Sequence, residues 1–107
     1  MAREQFQTLT EPMYYILLSL MEECCGVDIM EKVETISAGR VKVGPGTLYA
    51  MLSKFEENHI IVKTAEIGRR KSYVITDLGK EMVEKEYKRL RIMAEHGERY
   101  FRKKDLI

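Results

Sequence analysis

The pattern of apolar and polar positions divides the chain into six segments. From Met13 to Met21 nearly every position is apolar. A helix apolar on all sides must be covered on several faces, and in a chain of 107 residues this points to burial against a second copy. Thr10 suits its N-cap and Glu11 its dipole, while Pro12 is tolerated in a first turn whose N–H groups lack intrahelical partners. Glu22, Glu23 and Gly26 mark its end. A shorter helix is predicted over Val27–Ile36, with Val27, Ile29, Met30, Val33 and Ile36 as its apolar positions and Ser37-Ala38-Gly39 as its stop signal. Arg40-Val41-Lys42-Val43 reads as a short extended link. Gly44-Pro45-Gly46-Thr47 then opens a third helix, with proline at N1, that runs to about Asn58.

In this third helix Leu48, Met51, Leu52 and Phe55 fall on one arc and predict a core-facing stripe. The opposite arc holds Gly46, Tyr49, Ala50, Ser53 and Lys54, with Thr47 at its edge. It is small and uncharged at its start and basic one turn later. Ile60–Thr64 reads as a strand and Lys71–Thr76 as its partner, joined by Ile67-Gly68-Arg69-Arg70 as a glycine turn with a cationic tip. Thr76-Asp77 opens a long last helix. Along it Val83, Tyr87, Leu90, Ala94, Gly97 and Phe101 are spaced as a heptad seam, flanked by Met82, Met93 and Tyr100. No small core needs a seam of that length, so a partner helix is expected. The order helix, helix, helix, strand, strand, helix predicts a mainly α fold, a winged helix-turn-helix. Its third helix enters a DNA groove and its hairpin flanks it. The expected organisation is an N-terminal extension over residues 1–9, a DNA-binding unit over 10–76 and a dimerisation helix over 77–107, all within one compact domain.

Composition adds less than charge. The chain is 45% hydrophobic and 33% charged, a globular profile that excludes disorder and low-complexity repeats. The net charge is +1, yet residues 1–39 carry −5, residues 40–71 carry +4 and residues 72–107 carry +2. Such concentration in the middle third suits a polyanionic partner. No apolar run reaches the ~20 residues of a membrane span, and the start MAREQFQTLT lacks a signal-type segment, so a cytoplasmic location is expected. Cys24 and Cys25 are neighbours, a poor geometry for a disulfide, and read as small residues near a helix end with one of them buried. Cys24, Cys25, Asp28, His59 and His96 lack the spaced pairs of a zinc site, so no metal or other cofactor is expected. His59 reads as a helix C-terminal residue suited to the dipole.

Four segments together resemble the PadR-type transcriptional regulators. They are Leu9-Thr10-Glu11-Pro12-Met13-Tyr14-Tyr15-Ile16-Leu17, Gly44-Pro45-Gly46-Thr47-Leu48-Tyr49, Gly68-Arg69-Arg70-Lys71-Ser72-Tyr73 and Ile75-Thr76-Asp77-Leu78-Gly79. The resemblance implies a dimeric, ligand-responsive repressor of a pseudo-palindromic operator, dimerised by its last helix, in the compact subclass without an added helical domain. Multidrug-responsive members place tryptophan in that helix where this chain has Leu90. No tryptophan is present, so flat-aromatic sandwiching does not carry over.

The chemistry at the expected DNA site follows from residue type. A helix N-terminus offers N–H groups and positive dipole to phosphate. Gly46 and Ala50 remove bulk beside base edges, and Ala50 suits a thymine methyl. Thr47 and Tyr49 offer hydroxyls, Ser53 lies on the same arc, and Lys54 reaches the backbone. Arg69, Arg70 and Lys71 form a narrow cationic finger suited to a phosphate line or the minor groove. Tyr14, Tyr15, Leu18, Leu90, Met93 and Ala94 are placed to line an apolar space for a small apolar or aromatic effector where first and last helices meet across a dimer. The alternative to a DNA-binding regulator is a winged-helix module that binds protein. Nucleophile–base pairs and phosphate loops are missing from the sequence, so no enzyme is expected.

Overall fold

The computed structural model describes residues 8–103, with side chains described to Arg102. The start of the expected N-terminal extension and the last residues of the expected dimerisation segment therefore lie outside the described residues. In chain order the elements are α1 (Glu11–Ser19), β1 (Cys24–Cys25), α2 (Gly26–Ile36), α3 (Pro45–Glu57), β2 (Ile61–Ile67), β3 (Arg70–Ile75) and α4 (Asp77–Lys103). Thr10 caps α1, its hydroxyl accepting from the Met13 N–H at 3.4 Å. Thr76 caps α4 in the same way, accepting from the Gly79 N–H at 3.1 Å. α1 stops at Ser19, two residues before the end of the apolar run, because Leu20 leaves helical geometry and its carbonyl accepts from the Ile75 N–H of β3 at 2.8 Å.

The sheet has three strands in the order β1-β3-β2, all antiparallel, and not the two expected. Cys24 and Cys25 form the extra strand, opposite Tyr73 and Ser72. Two residues show no periodicity, and only the distant β3 makes them a strand. Cys24 is buried and Cys25 half-buried. The hairpin is longer at its tip than expected, with a two-residue loop at Gly68-Arg69 between Ile67 and Arg70. Gly68 has φ +62°, which a glycine adopts without the clash a Cβ would suffer. Between Lys63 and Ala65 the register shifts by one, leaving Thr64 as a bulge.

α2 and α3 both end in the same hydrogen-bond pattern. After α2 the Gly39 N–H reaches the Glu34 carbonyl, and after α3 the Ile60 N–H reaches the Phe55 carbonyl, each at 2.8 Å. The residue before each donor turns left-handed: Ala38 at φ +54° and His59 at φ +60°. Both are Schellman stops without glycine at the turning position. His59 is thus the turning residue after α3, which brings Phe55 and Ile60 together in the core.

The core gathers Ile16, Leu17 and Leu20, Ile29 and Val33, Leu48, Leu52 and Phe55, and Ile60 and Ile61, all at most 2% exposed. Val27 and Ile36, expected on the buried face of α2, are 55% and 42% exposed; the covered pair Ile29 and Val33 lies one turn apart between them. The core also continues past residue 76. Leu78, Met82 and Val83 pack into it, so the first seam position, Val83 at 7% exposure, is spent on the chain's own interior. From Leu90 to Arg102 every residue except Gly97 is exposed. Tyr87, Leu90 and Phe101 stand 40–49% open.

α4 crosses the hairpin so closely that a Cβ on Gly79 would lie 2.5 Å from the Ile75 Cγ1 and closer still to the Ile60 carbonyl oxygen. Neither neighbour can yield without moving a strand. We expect Gly79→Ala to lower stability by about 3 kcal/mol through overpacking in urea titration. Gly46→Ala, with nothing within 4 Å of its Cβ, should change stability by less than about 1 kcal/mol.

Candidate nucleic-acid interface

The interface is set by how α3 is held. Leu48, Leu52 and Phe55 are at most 1% exposed and Met51 is half-buried, so the expected stripe faces the core. Gly46, Thr47, Tyr49, Ala50, Ser53 and Lys54 are all exposed on the other side. Gly44 is the N-cap, and the Leu48 N–H donates to its carbonyl at 2.9 Å. With no side-chain cap at that end, the N–H groups of Gly46 and Thr47 stay open to an acceptor.

The hairpin rises beside this ridge. Tyr49 and Ser53 from α3, Arg69, Arg70 and Lys71 from the hairpin, and the Cys25–Val27 segment enclose a cleft of about 310 Å³. Tyr73 also lines it; it is 5% exposed, and burial pushes its hydroxyl above the usual tyrosine range. The structure thus brings Tyr49, Ser53 and the three hairpin cations together. Gly46, Thr47, Ala50 and Lys54 sit on the open ridge outside the cleft walls.

Tyr49 is both packed and open. It is 42% exposed, yet its ring lies over Gly26, where a Cβ would meet the ring and the hydroxyl at 3.0 Å. Gly26, Cys25 and Tyr73 escaped the sequence reading as site residues. Their place depends on β1 pairing with β3, and the one visible signal was a glycine at the head of α2.

The family model for the transcriptional regulator PadR-like family matches residues 16–85, a span holding every element from the end of α1 into α4. This chain belongs to the PadR-like family of transcriptional regulators.

Solved structures of transcriptional regulators share its fold. A PadR-like transcription factor from Bacteroides fragilis is 25% identical with a TM-score of 0.61, over 88% of this chain and 95% of that one. A transcriptional regulator from Clostridium thermocellum reaches a TM-score of 0.69 at 19% identity, over 84% and 93% of the two chains. A PadR family transcription regulator from Clostridium difficile reaches 0.64 at 21%, over 82% and 97%. In sequence, an uncharacterized 37.1 kDa protein of a Streptomyces fradiae transposon is 33% identical over 61 residues, which is 57% of this chain and 17% of that much longer protein. PadR-like proteins are DNA-binding regulators of transcription. Among the described residues no helix is long and apolar enough to cross a membrane and no group of side chains forms a metal site.

A second groove, of about 400 Å³, runs between α1 and α4. It brings together Tyr14, Tyr15 and Leu90 of the expected effector site, the two tyrosine rings edge to face at 5.8 Å. Leu18 and Met93 lie outside its lining. Its walls are less apolar than expected, because Arg40 pairs with Glu11 on one side and Arg89 with Glu86 on the other.

Glu86 is a buried carboxylate that the sequence reading passed over, although it falls three residues after Val83 on the same helix face. It is 3% exposed, accepts from the Arg89 guanidinium at 2.5 and 3.2 Å, and takes the Leu9 N–H at 3.4 Å. The hydrogen bond from Arg89 holds its carboxyl below the usual range, against the opposing effect of burial and with help from Leu9. A carboxyl lowered by folding stabilises the fold above its ordinary range, and that stability disappears as pH falls through the folded value. We expect Glu86→Gln to cost about 1–2 kcal/mol at pH 7, a difference that shrinks as pH falls through the lowered folded value of the carboxyl when urea midpoints are compared.

Proposed function

We propose that this chain is a homodimeric, effector-responsive repressor that binds a pseudo-palindromic duplex in the cytoplasm. The observation that carries the reading is that Tyr49 and Ser53 of the exposed α3 face and the Arg69–Lys71 finger line one cleft. In this reading two α3 helices enter successive major grooves about 34 Å apart. Gly46 and Ala50 let the helix approach base edges, Thr47, Tyr49 and Ser53 offer hydroxyls, and Lys54 with the hairpin cations neutralises phosphates.

The free half of α4 supports a dimer. Tyr87, Leu90, Met93, Tyr100 and Phe101 stand 40–56% exposed along the outer part of α4, a surface that a second helix would cover through the seam of Tyr87, Leu90, Ala94, Gly97 and Phe101. The α1–α4 groove supports an effector site, since Leu90 of the seam and Arg40, four residues ahead of the α3 N-cap, both line it. A molecule held there would touch the dimer face and the entry to α3 at once.

Selection of bound duplexes from a random pool should return an inverted repeat. With about six phosphate contacts, log affinity should fall with log salt at a slope near −5. Replacing Arg69 and Arg70 by alanine should weaken binding to every duplex and flatten the slope by about 2 per finger. Ala50→Glu should abolish the sequence preference, because it sets a carboxylate against base edges. Leu90→Glu should shift the protein to monomer in sedimentation analysis and remove operator binding with it. Duplex binding that ignores salt would overturn the reading in favour of a protein-binding module.

A further inference from the structure

Residues three apart in a regular strand face opposite sides of the sheet. Lys63 and Glu66 nevertheless form an ion pair, Nζ to Oε1 at 2.6 Å. The Thr64 bulge is the reason. Lys63 stands opposite Tyr73, but after the inserted residue Ala65 stands opposite Ser72 and Glu66 opposite Lys71. Opposed residues share a face, as do residues two apart such as Tyr73 and Lys71. Lys63, Glu66, Lys71 and Tyr73 therefore lie on one side of the hairpin, and Lys71 and Tyr73 line the cleft against α3.

The bulge has thus placed the Glu66 carboxylate against Lys63 and across the ladder from Lys71, on the side of the hairpin from which Lys71 and Tyr73 reach the cleft. The hydrogen bond and charge of Lys63, followed by the charge of Lys71, hold that carboxyl below its ordinary range, so it is ionised at neutral pH. An exposed pair of this kind adds little to stability. Its effect on an approaching phosphate is large by comparison, because it occupies one lysine and offsets the field of the other. Among the described residues Arg69 and Arg70, two places and one place before Lys71, form no ion pair, and Lys71 acts on Glu66 through its charge alone. The wing therefore carries one lysine paired with Glu66, a second, Lys71, whose field Glu66 offsets without an ion pair, and two arginines clear of it.

We propose that Glu66 is an internal competitor for DNA phosphate, which Lys63 and Lys71 exchange for the duplex only where phosphates are placed to displace it. This rests on the DNA-binding reading above and assigns Glu66 a role in specificity. A generic duplex meets only Arg69 and Arg70, whereas a duplex seated by α3 also recruits the lysines.

The test is Glu66→Gln in the full chain, titrated against the selected operator and a scrambled duplex over a range of salt. The variant should bind the scrambled duplex about tenfold more tightly at low salt, with a slope steeper by about 1 to 2 as one or two lysines join the phosphate contacts. The operator should gain less, so the ratio of the two affinities falls. Adding Lys63→Met should take back about one contact's worth of the new slope. If the parent protein binds with its salt dependence but Glu66→Gln leaves slope and ratio unchanged, the competitor role is wrong and the DNA-binding reading stands. A gain that persists in full with Lys63→Met also overturns it. A parent protein with no salt-dependent binding removes both.

Discussion

One side of α3 is packed into the core, and the direction in which its other side faces is set by that packing. Leu48, Leu52 and Phe55 are at most 1% exposed, and burying each contributes roughly 2 kcal/mol. A rotation of the helix by one residue would expose that stripe and drive Tyr49 or Lys54 into the core. The rotation is therefore fixed, and with it the direction in which Gly46, Thr47, Ala50, Ser53 and Lys54 face. The Schellman stop at His59 extends the same constraint, since it folds Ile60 back onto Phe55 and sets where β2 begins.

The sheet makes a ridge into a cleft. β1 is only Cys24–Cys25, but its pairing with β3 brings the head of α2 beside the hairpin, and Gly26 there gives Tyr49 a seat. α4 locks the other side through Gly79, pressed against Ile60 and Ile75. The hairpin consequently has a rigid base and a tip that is free of the core, with Arg69 and Arg70 exposed on it. The Thr64 bulge then decides which of the remaining charges meet: without the inserted residue, Lys63 and Glu66 would point to opposite faces.

α4 changes character along its length. Its first turns complete the chain's interior through Gly79, Met82, Val83 and the buried Glu86, while from Leu90 to Arg102 every residue except Gly97 is exposed. A heptad pattern does not distinguish these halves, since an apolar residue at the correct spacing serves either kind of burial. Val83 shows this: its spacing matches Tyr87 and Leu90, and its surroundings do not.

The elements that were legible in the sequence are those whose cause is local. Thr10 and Thr76 cap their helices, Pro45 opens α3, Gly68 turns the hairpin, and the Leu48–Phe55 stripe faces inward, each because the residue's own chemistry or spacing demands it. The exposed face of α3 and the cationic finger followed directly. What remained hidden depends on residues far apart in the chain. β1 is a strand only because Tyr73 and Ser72 accept it; Glu86 is tolerated in the interior only because Arg89 and the Leu9 N–H surround it; and the Lys63–Glu66 pair needs a register shift that no periodicity announces. Local backbone preference and apolar spacing act within a few residues and are written in sequence order. Pairing register, buried charge and the walls of a cleft arise only when distant segments meet, and the tertiary structure alone decides them.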